Sequence, residues 1–254
     1  MIDKVINVTE QAGEIAREGF GKNFDIEYKS NSSDLVTEYD KKAEKFITDF
    51  IKKEFPGHSI LAEESGEEKL DSEYRWVIDP IDGTTNFAHG LPMFSVSVGV
   101  QKNGQTIYGA VYDVMQKTIY SAELNSGAFC NGKKIEVSKN DDLKKSLLVT
   151  GFPYDIEKHM PRIVDKFSEI LNKSRAVRRL GSAAIDLCYV ASGIFDGFWE
   201  LELQQWDVCA GNLILEEAGG KVTDFSGNPI KNSATELLAT NGKIHTQLSE
   251  ILNS

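Results

Sequence analysis

The densest concentration of chemically capable residues is the segment WVIDPIDGTTNF, residues 76–87. An apolar run delivers Asp79 to the end of a strand, Pro80 turns the chain, and Asp82 follows three residues later. Carboxylates at a strand end and just beyond it can converge on one point. Gly83 permits close backbone approach, and Thr84-Thr85 can open a helix whose unpaired amides attract anions. Two carboxylates beside an anion site would repel a phosphate unless a hard divalent cation stood between them, bound by the carboxylates and binding phosphate oxygens in turn. The competing reading is a plain strand–turn–helix in which Asp79 and Asp82 serve as caps.

Two other acidic clusters accompany this segment. Leu61-Ala62-Glu63-Glu64-Ser65 ends a short apolar strand in adjacent acids, with an exposed loop continuing through Glu67 and Glu68 as the alternative. In QQWDVCAGNLILEEAGG, residues 204–220, Asp207 is placed as the N-cap of an apolar helix that Gly219-Gly220 ends. One oxygen of such a carboxylate can cap while the other binds metal, and a pure cap is equally compatible. Neither a G-x-x-x-x-G-K-[ST] nor a G-x-S-x-G pattern occurs, which argues against nucleotide triphosphatase and serine hydrolase chemistry. His58, His89, His159 and His245 show no metal-ligand spacing, and His89 is expected at a polar rim. Trp76, Trp199 and Trp206 are expected in packing, and Cys188 and Cys209 as small hydrophobes on helix faces.

In this order and spacing the three segments resemble the inositol monophosphatase family of magnesium-dependent, lithium-sensitive phosphatases. The similarity continues through KSNSSDLVTEYD (29–40) and RRLGSAAIDLCYVASGIFDGFWE (178–200), so it spans essentially the whole chain. The resemblance implies two or three Mg²⁺ ions per subunit. Glu63, Asp79 and the carbonyl of Ile81 would hold the first, and Asp79, Asp82 and Asp207 the second. A third, weaker ion would involve Glu63 and water, with Asp40 and Glu64 nearby. It further implies a metal-bound water oriented by Glu63 and Thr84 for in-line attack on phosphorus, with phosphate oxygens on the amides of Gly83 and Thr84. Sugar or cyclitol hydroxyls would lie against Asp82, Glu200 and the loop Gly181-Ser182-Ala183, with Arg178 nearby, and Lys29 would help to offset phosphate charge.

The implied activity is hydrolysis of inositol 1-phosphate to inositol and phosphate. Alternatives within the same superfamily are a fructose-1,6-bisphosphatase, a dual-specificity enzyme and a 3′-phosphoadenosine phosphatase, and the form D-P-I-D-G-T-T-N-F favours the first reading. A non-enzymatic alternative is a binding partner of the transcription machinery, a role found among bacterial relatives. The implied fold is mixed α+β and α/β, a layered α-β-α-β-α sandwich of the sugar phosphatase type with an antiparallel N-terminal sheet and a mixed C-terminal sheet. A homodimer is expected from the same resemblance.

The elements that must position these residues are legible in the periodicity. Apolar spacing of three and four predicts a helix from Ile2 to near Gly19, and another from about Thr37 to Phe55 that Pro56-Gly57 stops. Strands follow at 59–64 and 75–79, then an antiparallel meander at 94–101, 105–113 and 117–123. After the polar stretch 138–145 strands and helices alternate: strands at 146–151, 175–181, 196–203, 221–225 and 236–241, with helices at 160–171, 182–192, 207–218 and from 243. The boundary is placed near residue 145, with most metal ligands in 1–145, the substrate contacts and one metal ligand in 146–254, and the active site between the halves. The acidic stretch to residue 73 is expected as a solvated loop.

Composition bounds the function classes. The 254 residues are 41% hydrophobic and 26% charged, an ordinary globular balance, and the formal net charge is −11. That sign argues against a nucleic acid or an anionic membrane as partner and leaves a small phosphate ester, provided cations are recruited locally. Three scattered cysteines, no apolar run of membrane length and an N-terminus unlike a signal peptide predict a reduced, cytoplasmic protein.

Overall fold

The computed structural model describes residues 1–28, 35–230 and 234–254, so Lys29 lies outside the described residues. The first half begins with helix α1 (Ile2–Gly19), the antiparallel ribbon β1 (Ile26–Tyr28) and β2 (Leu35–Thr37), and helix α2 (Glu38–Glu54). It continues through β3 (Ser59–Ala62), β4 (Gly66–Glu68), β5 (Tyr74–Asp82) and the single turn α3 (Thr84–Ala88). Strands β6 (Ser95–Lys102), β7 (Gln105–Asp113), β8 (Thr118–Glu123), β9 (Ala128–Cys130) and β10 (Lys133–Ile135) complete it. The second half comprises β11 (Leu147–Thr150), α4 (Ile156–Lys173), β12 (Ala176–Arg178), α5 (Ala183–Ala191) and β13 (Gly197–Leu203). It closes with α6 (Gln205–Glu217), β14 (Lys221–Thr223), β15 (Ala234–Thr240) and α7 (His245–Asn253).

Two sheets and three helical layers alternate. The eight-stranded sheet runs β10-β9-β8-β7-β6-β5-β3-β4 and the five-stranded sheet β12-β11-β13-β15-β14. Helices α1 and α2 cover one face of the large sheet, burying Val5, Val8, Ala12, Ala43, Ile47 and Ile51 against Trp76, Ile78 and Val98. Helices α5 and α6 fill the space between the sheets, and their residues share one core with Val111, Tyr120, Val149 and Phe198. Helices α4 and α7 close the far face over Leu148, Trp199 and Leu238. The layered α-β-α-β-α expectation is borne out, with β5 to β10 antiparallel, β3 parallel to β5, and a mixed small sheet. Among the described residues no helix is long and apolar enough to cross a membrane.

Local chemistry explains most boundaries, including those that depart from the expectation. Thr37 opens α2 through a capping box: its hydroxyl accepts from the amide of Tyr39 at 3.2 Å, while Asp40 Oδ2 accepts from the Thr37 amide at 2.8 Å. Strand β5 does not stop at Asp79 but runs to Asp82, because the register against β6 shifts between these two acids and leaves no ladder bond for the missing N–H of Pro80 to break. Helix α6 begins at Gln205, so Asp207 is its third residue and not its N-cap. Its Oδ2 still accepts from a free amide, that of Gln204, at 2.6 Å. The acidic stretch after Glu64 is not all loop, since β4 pairs with β3 there. The β9–β10 hairpin, turned by Asn131-Gly132, is an addition to the expected meander. Helix α4 starts at Ile156, earlier than residue 160, with Pro161 inside it.

Candidate active site

The C-terminal end of β5 and the turn after it carry the site. Asp79 is 2% exposed, and its Oδ1 meets no hydrogen-bond donor among the described residues. Gly83 adopts φ +100°, a left-handed conformation that only glycine takes without strain, and a Cβ there would lie 3.0 Å from the carbonyl oxygen of Gly181 and 3.1 Å from that of Met93. The chain can therefore turn sharply into α3 and place Thr84. The Thr84 hydroxyl donates to Asp40 Oδ1 at 3.0 Å or to the Ile81 carbonyl at 2.9 Å, which ties α2 to the end of β5.

Glu63 and Glu64 follow β3, beside β5. The Glu63 amide donates to the Ile78 carbonyl at 3.1 Å, and the Glu64 amide to Glu44 Oε2 at 2.8 Å. Asp207 reaches the same place from the first turn of α6, which lies against the opposite face of the sheet. The approach is close, since a Cβ on Gly109 of β7 would stand 2.9 Å from the Ala210 carbonyl oxygen.

The second half contributes the start of α5 and the middle of β13. Asp82 Oδ2 accepts from the Ser182 hydroxyl at 2.6 Å and the Ala184 amide at 2.7 Å, and its Oδ1 accepts from the Ala183 amide at 3.2 Å. Ser182 and Ala183, expected to meet substrate hydroxyls, are thus engaged in holding Asp82. Asn86 pins the two halves together, its Nδ2 donating to the carbonyls of Met93 at 2.7 Å and Leu180 at 2.8 Å. Glu200 is buried on β13 with its carboxyl pressed against Gly151, where a Cβ would lie 2.0 Å from Oε2. Arg178 turns outward, its guanidinium on the carbonyl of Val177 at 3.2 Å. The cation facing Glu200 is instead its neighbour Arg179.

The electrostatics are those of a crowded acid site. Burial, then Glu63, Asp82 and Asp207, push the Asp79 carboxyl well above its ordinary range. Asp207 is pushed up by burial of its carboxyl, then by Glu63 and Asp82. Burial raises Asp82 to about 6 even though Ser182 and the two α5 amides favour its ionised form. Asp40 also rises to about 6, chiefly by burial, and Glu200 to about 8 by burial, with Arg179 opposing. Four carboxylates that penalise each other's charge, one with an orphaned oxygen, are hard oxygen donors suited to Mg²⁺. As placed, no three such side chains among the described residues already enclose a single ion-sized point. A cation fits this donor set by charge and chemistry.

Some supporting residues escaped the sequence reading. Glu44 lies on the buried face of α2 one turn after Asp40, and that i, i+4 pair of acids on an apolar face was the available signal. Asp186 is 1% exposed on the otherwise apolar α5, and Ser95 lies 3.1 Å from Ser182 and 3.4 Å from Asp82. His89 is exposed beyond α3, Trp76 and Trp199 are buried, Trp206 is half-buried, and Cys188 and Cys209 are buried free thiols.

Known proteins resemble this chain over its whole length. A family model described as the inositol monophosphatase family matches residues 1–254. The chain is 44% identical over 234 residues to an inositol-1-monophosphatase of Synechocystis sp., covering 92% of this chain and 82% of that protein. It is 40% identical over 255 residues to a protein of Pasteurella multocida named Nus factor SuhB, covering 100% of this chain and 94% of that one. Among solved structures, an inositol monophosphatase from Anabaena (Nostoc) sp. superposes with a TM-score of 0.89 at 41% identity, covering 99% of this chain and 94% of the other.

Proposed function

The chain belongs to the inositol monophosphatase family and is a phosphatase, and on that premise we propose that it hydrolyses inositol 1-phosphate to inositol and phosphate with Mg²⁺ as cofactor. The observation that carries this is that Glu63 after β3, Asp79 and Asp82 on β5 and Asp207 in the first turn of α6 lie near enough to raise the carboxyls of Asp79 and Asp207, beside the turn at Gly83.

In this scheme Glu63, Asp79 and the Ile81 carbonyl would hold one Mg²⁺, Asp79, Asp82 and Asp207 would hold a second, and a third, weaker ion would involve Glu63, with Asp40 and Glu64 nearby. When bound, the ions supply a nucleophilic hydroxide at neutral pH and neutralise the charge that develops on phosphate and leaving oxygen. Because the Thr84 proton goes to Asp40 or Ile81, its lone pairs remain to accept from the attacking water, which Glu63 would also orient. The amides of Gly83 and Thr84 hold phosphate oxygens. Asp82 is held in place by α5 and acts on both metal and substrate hydroxyl. Glu200 receives the remaining hydroxyls, with Arg179 in the place that Arg178 was expected to fill.

Phosphate release from inositol 1-phosphate and fructose 1,6-bisphosphate, measured in parallel with and without Mg²⁺, tests the reading. Strong Mg²⁺-dependent turnover of the first alone is expected, comparable turnover of both makes the enzyme dual-specific, and turnover of neither removes the proposal. Asp82→Asn is expected to lower kcat by several orders of magnitude, roughly 10³-fold or more, as one metal-binding charge is lost.

A homodimer in the cytoplasm is part of the same proposal. A second reading, a binding role in transcription, draws on the relatives named Nus factor SuhB and on the net charge of −11, which suits a basic protein surface. Capture of transcription proteins by an inactive Asp82→Asn variant supports that role, since binding of this kind survives loss of catalysis.

A further inference from the structure

Asp186 has no part in the reaction outlined above, yet it lies in the first turn of α5, the helix whose start holds Asp82. Its amide donates to the Ser182 carbonyl at 3.0 Å. Its side chain is 1% exposed, and its Oδ1 meets no donor among the described residues. The charged groups that act on it are Glu200 from β13, Asp82 from β5 and Arg179 from the segment before α5. Glu200 has little room to retreat, because the backbone of Gly151 stands against its carboxyl. The Arg179 guanidinium lies 5.8 Å from the centre of the Phe152 ring and close to Gly181, at the exposed rim.

Two acids from other elements, Glu200 and Asp82, therefore act on the charge of the buried Asp186, and Arg179 is the described cation that opposes them. We infer that Asp186, together with Glu200, is a specificity-determining residue that reserves the Glu200 end of the site for hydroxyl groups and turns away a second phosphate. The inference rests on the polyol-phosphate reading above and adds to it the class of substrate that is refused.

The chemistry holds in either protonation state. An ionised carboxylate repels a phosphate, and a protonated one offers a single donor where a phosphate requires several. The neighbouring donors, the Ser182 hydroxyl and the amides of Ala183 and Ala184, are already engaged by Asp82. A hydroxyl, being donor and acceptor at once, can pair with a carboxyl or a carboxylate. An acceptor buried without a partner also leaves its negative potential uncompensated, which bears on any anion brought near.

The test compares kcat/KM for inositol 1-phosphate and fructose 1,6-bisphosphate in the wild type, Asp186→Asn and Arg179→Gln at saturating Mg²⁺. Where the bisphosphate is not turned over, its competitive inhibition constant replaces kcat/KM. Asp186→Asn is expected to lower the preference for the monophosphate about tenfold, the effect of one weakened charge interaction, and Arg179→Gln to raise it by a similar factor. Opposite shifts of this kind do not arise from general loosening of the site. An unchanged preference in both variants, or a parallel loss on both substrates, overturns the inference. If Asp186→Asn fails to fold, Arg179→Gln, at an exposed position, decides by the same criterion. A wild type without activity on inositol 1-phosphate overturns the substrate reading alone. The role of Asp186 is then decided by the same variants with glycerol 2-phosphate against the bisphosphate.

Discussion

The hydroxyl of Ser182 donates to Asp82 Oδ2 at 2.6 Å, joining the first turn of α5 to the end of β5 across a separation of 100 residues. This bond and those from the Ala183 and Ala184 amides make the N-terminus of a helix in the second half the holder of a proposed metal ligand in the first. The geometry of Asp82 is thus a property of the packing between the halves.

Ser182→Ala removes a bond to a carboxylate that burial already disfavours, together with the hydroxyl that caps α5. A loss of about 2 kcal/mol of stability is expected, as for hydrogen bonds to charged groups, with a lower kcat. Urea unfolding and phosphate release check both, and Ser182→Thr, which keeps the hydroxyl, is expected to recover most of each.

Metal removal exposes the repulsion among the acids. In chelator at pH 7.5, Asp79→Asn is expected to unfold at a higher temperature than the wild type, because a buried carboxylate facing Glu63, Asp82 and Asp207 is replaced by a neutral amide. With Mg²⁺ at about a hundred times its Kd the wild type gains about 2.7 kcal/mol and the variant much less, so the order reverses. Thermal unfolding of both proteins with and without Mg²⁺ decides it, and a wild type indifferent to Mg²⁺ would remove the metal assignment.

Gly151→Ala places a methyl group where the Glu200 carboxyl now lies, 2.0 Å from Oε2. Glu200 must move, and displacements of that order cost roughly tenfold to a hundredfold in the steps that depend on alignment. The expected signature is a rise in KM for inositol 1-phosphate larger than any fall in kcat, since the proposed metal ligands lie on other elements. Steady-state kinetics on the variant measure that split.

His245 predicts a pH dependence of stability remote from the site. Its ring is buried between Thr223 at 2.8 Å and Thr240 at 2.8 Å, and burial, aided by Lys221, lowers its pKa to about 4. The folded state therefore favours the neutral ring. The stabilisation is complete above the unfolded value of 6.5 and is lost as pH falls towards 4, amounting to about 2 kcal/mol by pH 5. Urea unfolding at pH 7.5 and pH 5 should show a smaller loss in His245→Gln than in the wild type.

Much of the site was legible because its residues lie at the ends of short, strongly patterned elements. Asp79 and Glu63 are acids where apolar strands end, and Gly83 is a glycine where the chain must turn, so type and spacing sufficed to single them out. Arg178 and Arg179 show the limit. Arg178 ends β12 and Arg179 follows it in the segment before α5, both at exposed positions, and which of the two acts on Glu200 depends on tertiary packing that residue type alone does not disclose. Glu44 and Asp186 were passed over because a lone acid in an amphipathic or apolar helix is ordinarily assigned to solvent, and only packing put both inside.

The sequence by itself determined the phosphatase family through its motifs, the α-β-α-β-α layering through that resemblance alone, and the acids available to a metal through residue type and local periodicity. The tertiary structure decided what surrounds those acids: Asp82 with Ser182, Glu200 with Gly151, and Asp186 buried where the charges of Glu200 and Arg179 act on it. Each of these partners comes from another element, brought into place when α5 and α6 are buried between the two sheets. Local propensity carries no information about such contacts, which depend on how completed elements pack.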